Sequence, residues 1–411
     1  MLRFGWMLLI STVCVATAQS ADWPQWRGPA RDGHSADTGL LQTWPEAGPA
    51  LRWKAADIGT GYSAPSIVKG RVYLQTTRGN EECLLILDEK TGAKIVETPI
   101  GKVGVNRGPQ YPGSRATPTV DGERVYCLAS DGELVCLESS SGAVKWRKHL
   151  REDFGGVFGN WAYTESVLVD GDAVICTPGG EDAALVALNK LTGATLWKSS
   201  IPDGGTAEYA SIMIAQAAGA KEYVTFLRNG LVGVDAKTGK LLWMYNKTID
   251  PGANILTPIV AGDRIFSSGS RTGGGVVQLK PAGDGVTAEP LYFDTKVAPS
   301  IGGAVLVDGN IYGTTQQSMF CADFATGTIH WTDRSVGPAS ICFADKRLYV
   351  RGYNSGEVAL VEPSSAGYKE ISRFKQADRS KIQAWPHPVV ANGGLYLRDQ
   401  DVLLSYEVQA K

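Results

Sequence analysis

The stretch Thr117-Pro-Thr-Val-Asp-Gly-Glu-Arg-Val-Tyr-Cys-Leu-Ala-Ser-Asp-Gly-Glu-Leu-Val-Cys-Leu-Glu-Ser-Ser-Ser-Gly-Ala-Val-Lys-Trp146 reads as four short strands. Residues 117–120 make a first extended piece, turned by Asp121-Gly122. Residues 124–129 alternate apolar and small side chains, and Asp131-Gly132 is a hairpin signal. Residues 134–138 return, Ser141-Gly142 turns again, and residues 144–146 make the fourth piece. A single four-stranded sheet of roughly 30 residues cannot bury both faces alone, so it predicts stacking on copies of itself.

The copies are present. A Val-Tyr-like strand recurs eight times, beginning at Arg71, Arg124, Ala173, Glu222, Arg264, Asn310, Arg347 and Gly394. A Thr-Gly-like turn recurs at Gly92, Gly142, Gly193, Gly239 and Gly327, with Trp146, Trp197, Trp243 and Trp331 following at a fixed offset. Val96 takes the tryptophan position in the first copy, and Phe293 and Phe374 are expected to do so in two degenerate ones. Residues 51–408 divided among eight units give about 45 residues each, the length of a four-stranded propeller blade. The last copy stops after its third strand, whereas Leu51-Arg-Trp-Lys54 looks like a fourth strand without its first three. Pairing the two would close the ring and remove an open edge. The expected fold is therefore all-β: one eight-bladed β-propeller over 51–408, preceded by a lead-in segment, 21–50, packed on it.

Composition agrees. The 411 residues are 43% hydrophobic with 49 glycines, enough for a large core and many tight turns. Lys+Arg 40 against Asp+Glu 42 gives no electrostatic case for nucleic acid. Residues 1–20 carry an early Arg3, an apolar run from Trp6 to Ala16 and a small-x-small site, Ala16-Thr-Ala18, the pattern of a secretory signal peptide rather than a transmembrane segment. Cleavage after Ala18 or after Ser20 fits, and the mature protein is expected in the periplasm or secreted. Six cysteines would remain, at 83, 127, 136, 176, 321 and 342, without Cys-x-x-Cys or vicinal pairs. If Asp131-Gly132 is a two-residue turn, Cys127 and Cys136 face each other, close enough for a disulfide.

The turn Asp235-Ala-Lys-Thr-Gly-Lys-Leu-Leu-Trp243 resembles the PQQ-like repeat of quinoprotein-type propellers, and the likeness covers essentially the whole mature chain. Trp23-Pro-Gln-Trp-Arg-Gly-Pro-Ala-Arg-Asp-Gly33, Thr164-Glu-Ser, Cys176-Thr-Pro-Gly-Gly and Leu397-Arg-Asp-Gln-Asp-Val-Leu-Leu look like the exported PQQ-binding-like propellers of Planctomycetes. More distantly the chain is similar to the propeller subunit of the outer-membrane protein assembly machinery, which binds proteins and catalyses nothing. Quinoprotein alcohol dehydrogenases instead hold PQQ between a Trp and a vicinal Cys-Cys disulfide, beside a Ca²⁺. This chain has neither the vicinal pair nor a recognisable calcium loop, and Ser-Thr-Val before Cys14 departs from a lipoprotein site.

In a propeller the residues leading into each blade's first strand form one rim. Here they read Tyr62, Arg115, Tyr163, Tyr209, Ile255, Ile301, Gly337 and Trp385, and two residues later Ala64, Thr117, Glu165, Ser211, Thr257, Gly303, Ala339 and His387. With Gln110 and Trp161 from the preceding loops, the candidate ligand-binding set is Tyr62, Gln110, Arg115, Trp161, Tyr163, Glu165, Tyr209, Trp385 and His387. Glu165 and His387 would serve acid–base chemistry if they lie within hydrogen-bonding reach. The four scattered histidines show no metal spacing. The expected function is a non-catalytic, monomeric scaffold binding a small molecule, a polysaccharide or an exported protein. The alternatives are a PQQ-dependent oxidoreductase and a carbohydrate-active enzyme using the rim.

Overall fold

The computed structural model describes residues 21–111, 113–202, 205–283 and 285–411; the expected signal peptide lies outside them. Eight four-stranded antiparallel sheets follow one another around a ring. In blade 1 the strands are Ser66–Val68, Arg71–Arg78, Glu81–Asp88 and Lys94–Lys102. Blades 2 to 7 occupy 119–149, 168–199, 213–245, 259–294, 304–333 and 339–375. The two middle strands of each blade are buried along nearly their whole length, because neighbouring blades cover both faces, and they are accordingly runs of Val, Leu, Ile and Tyr. Outer strands such as Val144–His149 are largely exposed and polar.

Blade 8 closes as expected. Val389–Ala391, Gly394–Asp399 and Val402–Glu407 are completed by Leu51–Ala55, whose Trp53 pairs with Ser405 and Ala55 with Leu403. Arg52 adds a 2.7 Å ion pair to Glu407 across the seam.

The repeat's turn and tryptophan form an inter-blade latch. In blade 4 Asp235 Oδ1 accepts hydrogen bonds from the amide and hydroxyl of Thr238 at 2.7 and 2.6 Å, which curls the chain until Gly239 adopts φ +73°. The bare Cα of Gly239 then meets the Trp197 ring of the preceding blade, whose Nε1 donates to Ala236 O at 3.2 Å. Trp146 sits likewise against Gly193, and Trp53 against Gly92 across the seam. Val96 takes the position in blade 1, over Gly142. In blade 5 the residue is Tyr292, over Gly327, while Phe293 points outward; in blade 7 it is Ser372, and Phe374 turns inward against Trp44 and Tyr406. The sequence expectation was one residue late in blade 5 and two in blade 7, since the bulge that sets the offset lies between Val276 and Val277 and between Leu360 and Val361.

A second correction concerns the cysteines. Ala129 N donates to Glu133 O, so the hairpin loop has three residues, Ser130, Asp131 and Gly132, rather than two. The added residue shifts the register by one, and Cys136 pairs with Tyr126 while Cys127 pairs with Val135. Side chains alternate along a strand, so the two thiols point to opposite faces, into different cores. All six described cysteines are free and buried, with no Cys127–Cys136 bridge.

Residues 23–35 of the lead-in run through the channel, and residues 40–48 pass out over blades 7 and 8, where Trp44 N donates to Ser372 Oγ and Leu41 N to Val408 O. Trp23 bridges Ile67 of blade 1, Val120 N of blade 2 donates to Pro24 O, and Arg31 donates to Ser166 O and Val167 O of blade 3. His34 Nε2 lies 2.9 Å from Leu306 O of blade 6, and Ser35 N donates to Phe343 O of blade 7. Each of these channel contacts falls within an innermost strand or, at Ser166 and Val167, just before one, so these residues of the lead-in fill the channel below the rim. Gly33, at φ +85°, permits the coil: a Cβ there would come within 2.9 Å of both Arg27 and Val305.

Candidate functional site

Above this plug the leading loops enclose a pocket of about 320 Å³. Trp26 and Arg27 of the lead-in make its floor, and Tyr62, Tyr111, Arg115, Trp161, Tyr209, Trp385 and His387 contribute to its walls, with Ser211, Ile255, Thr257, Ile301 and Gly303 between them. Trp26 is held by its Nε1 donating to Thr257 Oγ1 at 3.1 Å and by an edge-on contact with His387, ring centroids 4.7 Å apart. Tyr62 and Tyr111 both pack on Trp385, at 4.9 and 4.8 Å, and Trp161 meets Tyr209 edge-on at 5.6 Å. Residues 103–111 and 113–114 bridge the mouth. Gly108 N donates to Asn160 O, Trp161 Nε1 donates to Pro109 O, and Tyr62 N donates to Ser114 O.

Six of the nine sequence-predicted residues line the pocket: Tyr62, Arg115, Trp161, Tyr209, Trp385 and His387. Gln110 does not; its amide donates back to Asn106 O and Gly108 O and shapes its own loop. Tyr163 and Glu165 do not either, because blade 3 is out of phase by one residue. A ladder of hydroxyls marks the true column: Ser166 Oγ accepts from Thr117 N, Ser211 Oγ from Ser166 N, and Thr257 Oγ1 from Ser211 N. Thr164 and Ser166 thus face the pocket, and alternation sends their neighbours between blades. Tyr163 is buried there, its hydroxyl donating to Pro178 O at 2.7 Å.

Glu165 is 2% exposed and accepts from Thr177 N at 2.8 Å and Thr177 Oγ1 at 3.1 Å. Burial pushes its carboxyl up to about 8, against those hydrogen bonds and the charge of Arg31. His387 moves the other way: burial, helped by Arg27, lowers it to about 3, so its ring is neutral. No hydrogen bond joins Glu165 to His387, so the condition set for acid–base work between them, mutual hydrogen-bonding reach, is not met. The expectation missed Trp26, Arg27 and Tyr111. The two Trp and two Arg of 23–33, too many for a coil that only covers a surface, were the available signal for the first two.

Arg115 donates to Asn106 Oδ1 at 3.1 Å and to Tyr111 O, while its Nη1 has no partner. Burial lowers its pKa, opposed chiefly by Glu82. Glu82 is itself bound by the amide and hydroxyl of Ser130 and, mainly through burial, is raised to about 7. Among the described residues the lining includes no Asp, Glu or Cys, and no three His, Cys, Asp or Glu side chains cluster to hold a metal. These donors do not fit a calcium-bound quinone clamped by cysteines.

Fold and site together define a class: an eight-bladed PQQ-like propeller with its channel plugged by its own N-terminal segment and an aromatic pocket at the mouth. Within that class the chain belongs to the family described as outer membrane protein assembly factor BamB, whose profile matches residues 80–333. It is 24% identical over 320 residues to a polyvinylalcohol dehydrogenase of Sphingopyxis sp. (strain 113P3), covering 63% of this chain and 44% of that protein. A polyvinylalcohol dehydrogenase of Pseudomonas sp is 24% identical over 256 residues, covering 54% and 35%. The chain thus spans less than half the length of these curated relatives. BamB from Moraxella catarrhalis superposes with a TM-score of 0.56 at 14% identity, over 82% of this chain and 94% of that one. Quinohemoprotein alcohol dehydrogenase from Comamonas testosteroni gives 0.65 at 14%, over 96% and 82%. At such identities these likenesses establish the fold alone. No helix among the described residues is long and apolar enough to cross a membrane.

Proposed function

We propose that this chain is an exported binding propeller that holds a small molecule in the mouth pocket and catalyses no reaction itself. The observation that carries this reading is the separation of the two acid–base candidates of the rim: the pocket keeps a neutral His387 edge-on to Trp26, and the raised carboxyl of Glu165 faces Thr177 between strands. What remains at the mouth is an aromatic enclosure of a size suited to a ligand. Substituting Trp161 and Trp385 singly by Ala is expected to remove ligand-induced tryptophan quenching in a screen of small molecules, with the fold intact. Quenching unchanged in both variants would move the binding site elsewhere.

A second reading, a PQQ-dependent oxidoreductase, is favoured by one finding: both curated relatives are polyvinylalcohol dehydrogenases. Incubation with PQQ and Ca²⁺, followed by acceptor-dye reduction with polyvinyl alcohol, primary alcohols or aldoses, separates the two. Dye reduction that depends on added PQQ would replace the binding reading with this one.

A further inference from the structure

We propose that the mouth pocket takes a ring-bearing carboxylate: an apolar, aromatic body with one anionic group. This rests on the reading of the mouth as a small-molecule site and specifies the chemistry that it selects. The argument begins with donors that lack acceptors. Arg115 Nη1 and Trp385 Nε1 are both buried and unpartnered, and both residues line the pocket. Tyr111 ties them together, its carbonyl accepting from Arg115 and its ring resting on Trp385. A buried donor without an acceptor is costly, and a charged one more so.

Charge points the same way. Among the described residues Arg115 makes no ion pair, and the carboxylate acting on it most, Glu82, is engaged by Ser130. Arg27, the other cation of the lining, spends its Nη2 on Asp32 O and Ala304 O. Two guanidinium groups therefore face a lining in which no described residue is an acid. A carboxylate supplies acceptors to both free donors and a counter-charge to the fork of Arg115.

The rest of the lining sets the body of the ligand. Trp26 Nε1 is spent on Thr257 Oγ1 and Trp161 Nε1 on Pro109 O, so these two side chains, beside Tyr62 and Tyr209, offer the ligand ring faces and edges. Such ring faces and edges favour an aromatic body, which can pack against them offset or edge-on.

The test uses the full mature chain with 2-naphthoate and its neutral isostere 2-naphthamide, measured by calorimetry and tryptophan quenching. The acid is expected to bind about 10- to 100-fold tighter than the amide, the range for one charge-assisted hydrogen-bonded contact. Arg115→Gln should erase that preference and leave the amide's affinity in place, whereas Arg115→Lys should retain part of it. Equal binding of acid and amide by the unmodified protein overturns the carboxylate assignment while leaving the pocket a ligand site. Binding of neither overturns both. The acid–amide comparison decides the matter even if Arg115→Gln fails to fold.

Discussion

Replacing Glu165 by Gln tests the phase of blade 3 through the pH dependence of stability. The carboxyl is buried with the amide and hydroxyl of Thr177 as its donors, and its pKa is raised from an ordinary 4.5 to about 8. The unfolded chain loses this proton near its ordinary value and the native chain only near 8, so the folded state binds more protons in between. The stabilisation is complete below the unfolded value and is lost as pH rises through the folded one. At about 1.4 kcal/mol per pH unit the loss between pH 5 and pH 8 amounts to ~4 kcal/mol. The Gln variant carries no proton to lose, so its stability relative to the parent should rise by that amount across the window. Urea unfolding followed by tryptophan fluorescence at pH 5, 6, 7 and 8 measures the difference. A gap between the two proteins that stays constant within ~1 kcal/mol would refute the reasoning, and would mean that Glu165 is already ionised at pH 5 and balanced by Arg31.

Three other outcomes follow from the fold. Trp53→Ala, which removes the ring over Gly92 and the bond to Glu89 O at the seam, should cost ~3–5 kcal/mol in denaturant unfolding; a cost below ~1 kcal/mol would mean that the ring does not depend on this latch. Gly239→Ala places a Cβ 2.4 Å from the Trp197 ring at φ +73°, whereas Gly219, at φ +81°, has open space around it. The first should cost ~3 kcal/mol or more and Gly219→Ala ~1 kcal/mol, and equal losses would remove the latch from the account. Cys127 and Cys136 should both be alkylated after unfolding without reductant, as the three-residue hairpin loop requires; a bridged peptide would show that the register is wrong.

The ring was legible because its signals are local and repeated: the Asp-x-x-Thr-Gly turn needs one side-chain acceptor and one positive φ, and both are visible in residue types. What escaped was parity. One extra residue at Ser130-Asp131-Gly132 reversed the faces of Cys127 and Cys136, and one at the start of blade 3 exchanged Thr164 and Ser166 for Tyr163 and Glu165. A strand pattern of small and polar residues, such as Ala162-Tyr-Thr-Glu-Ser166, does not announce which side is the channel, because both sides are buried by different partners. The floor of the pocket escaped for another reason. Trp26 and Arg27 reach it through contacts with residues more than 200 positions away, Thr257 and Ala304, and no local pattern encodes such a meeting.

The seam in blade 8 also sets an order of events during biosynthesis. Arg52 and Glu407, which meet across it, are 355 residues apart, so the strand made first waits for the strand made last. Until the C-terminal residues are available, Leu51–Ala55 has no sheet to join and the lead-in has no complete channel to fill. Blades 1 to 7 can form from local hairpins, but closure is a single long-range step, slow by its separation rather than by its chemistry. A chain stalled before that step would present an unpaired strand at each end of an open arc, and so would be most vulnerable to joining a second chain in the same condition.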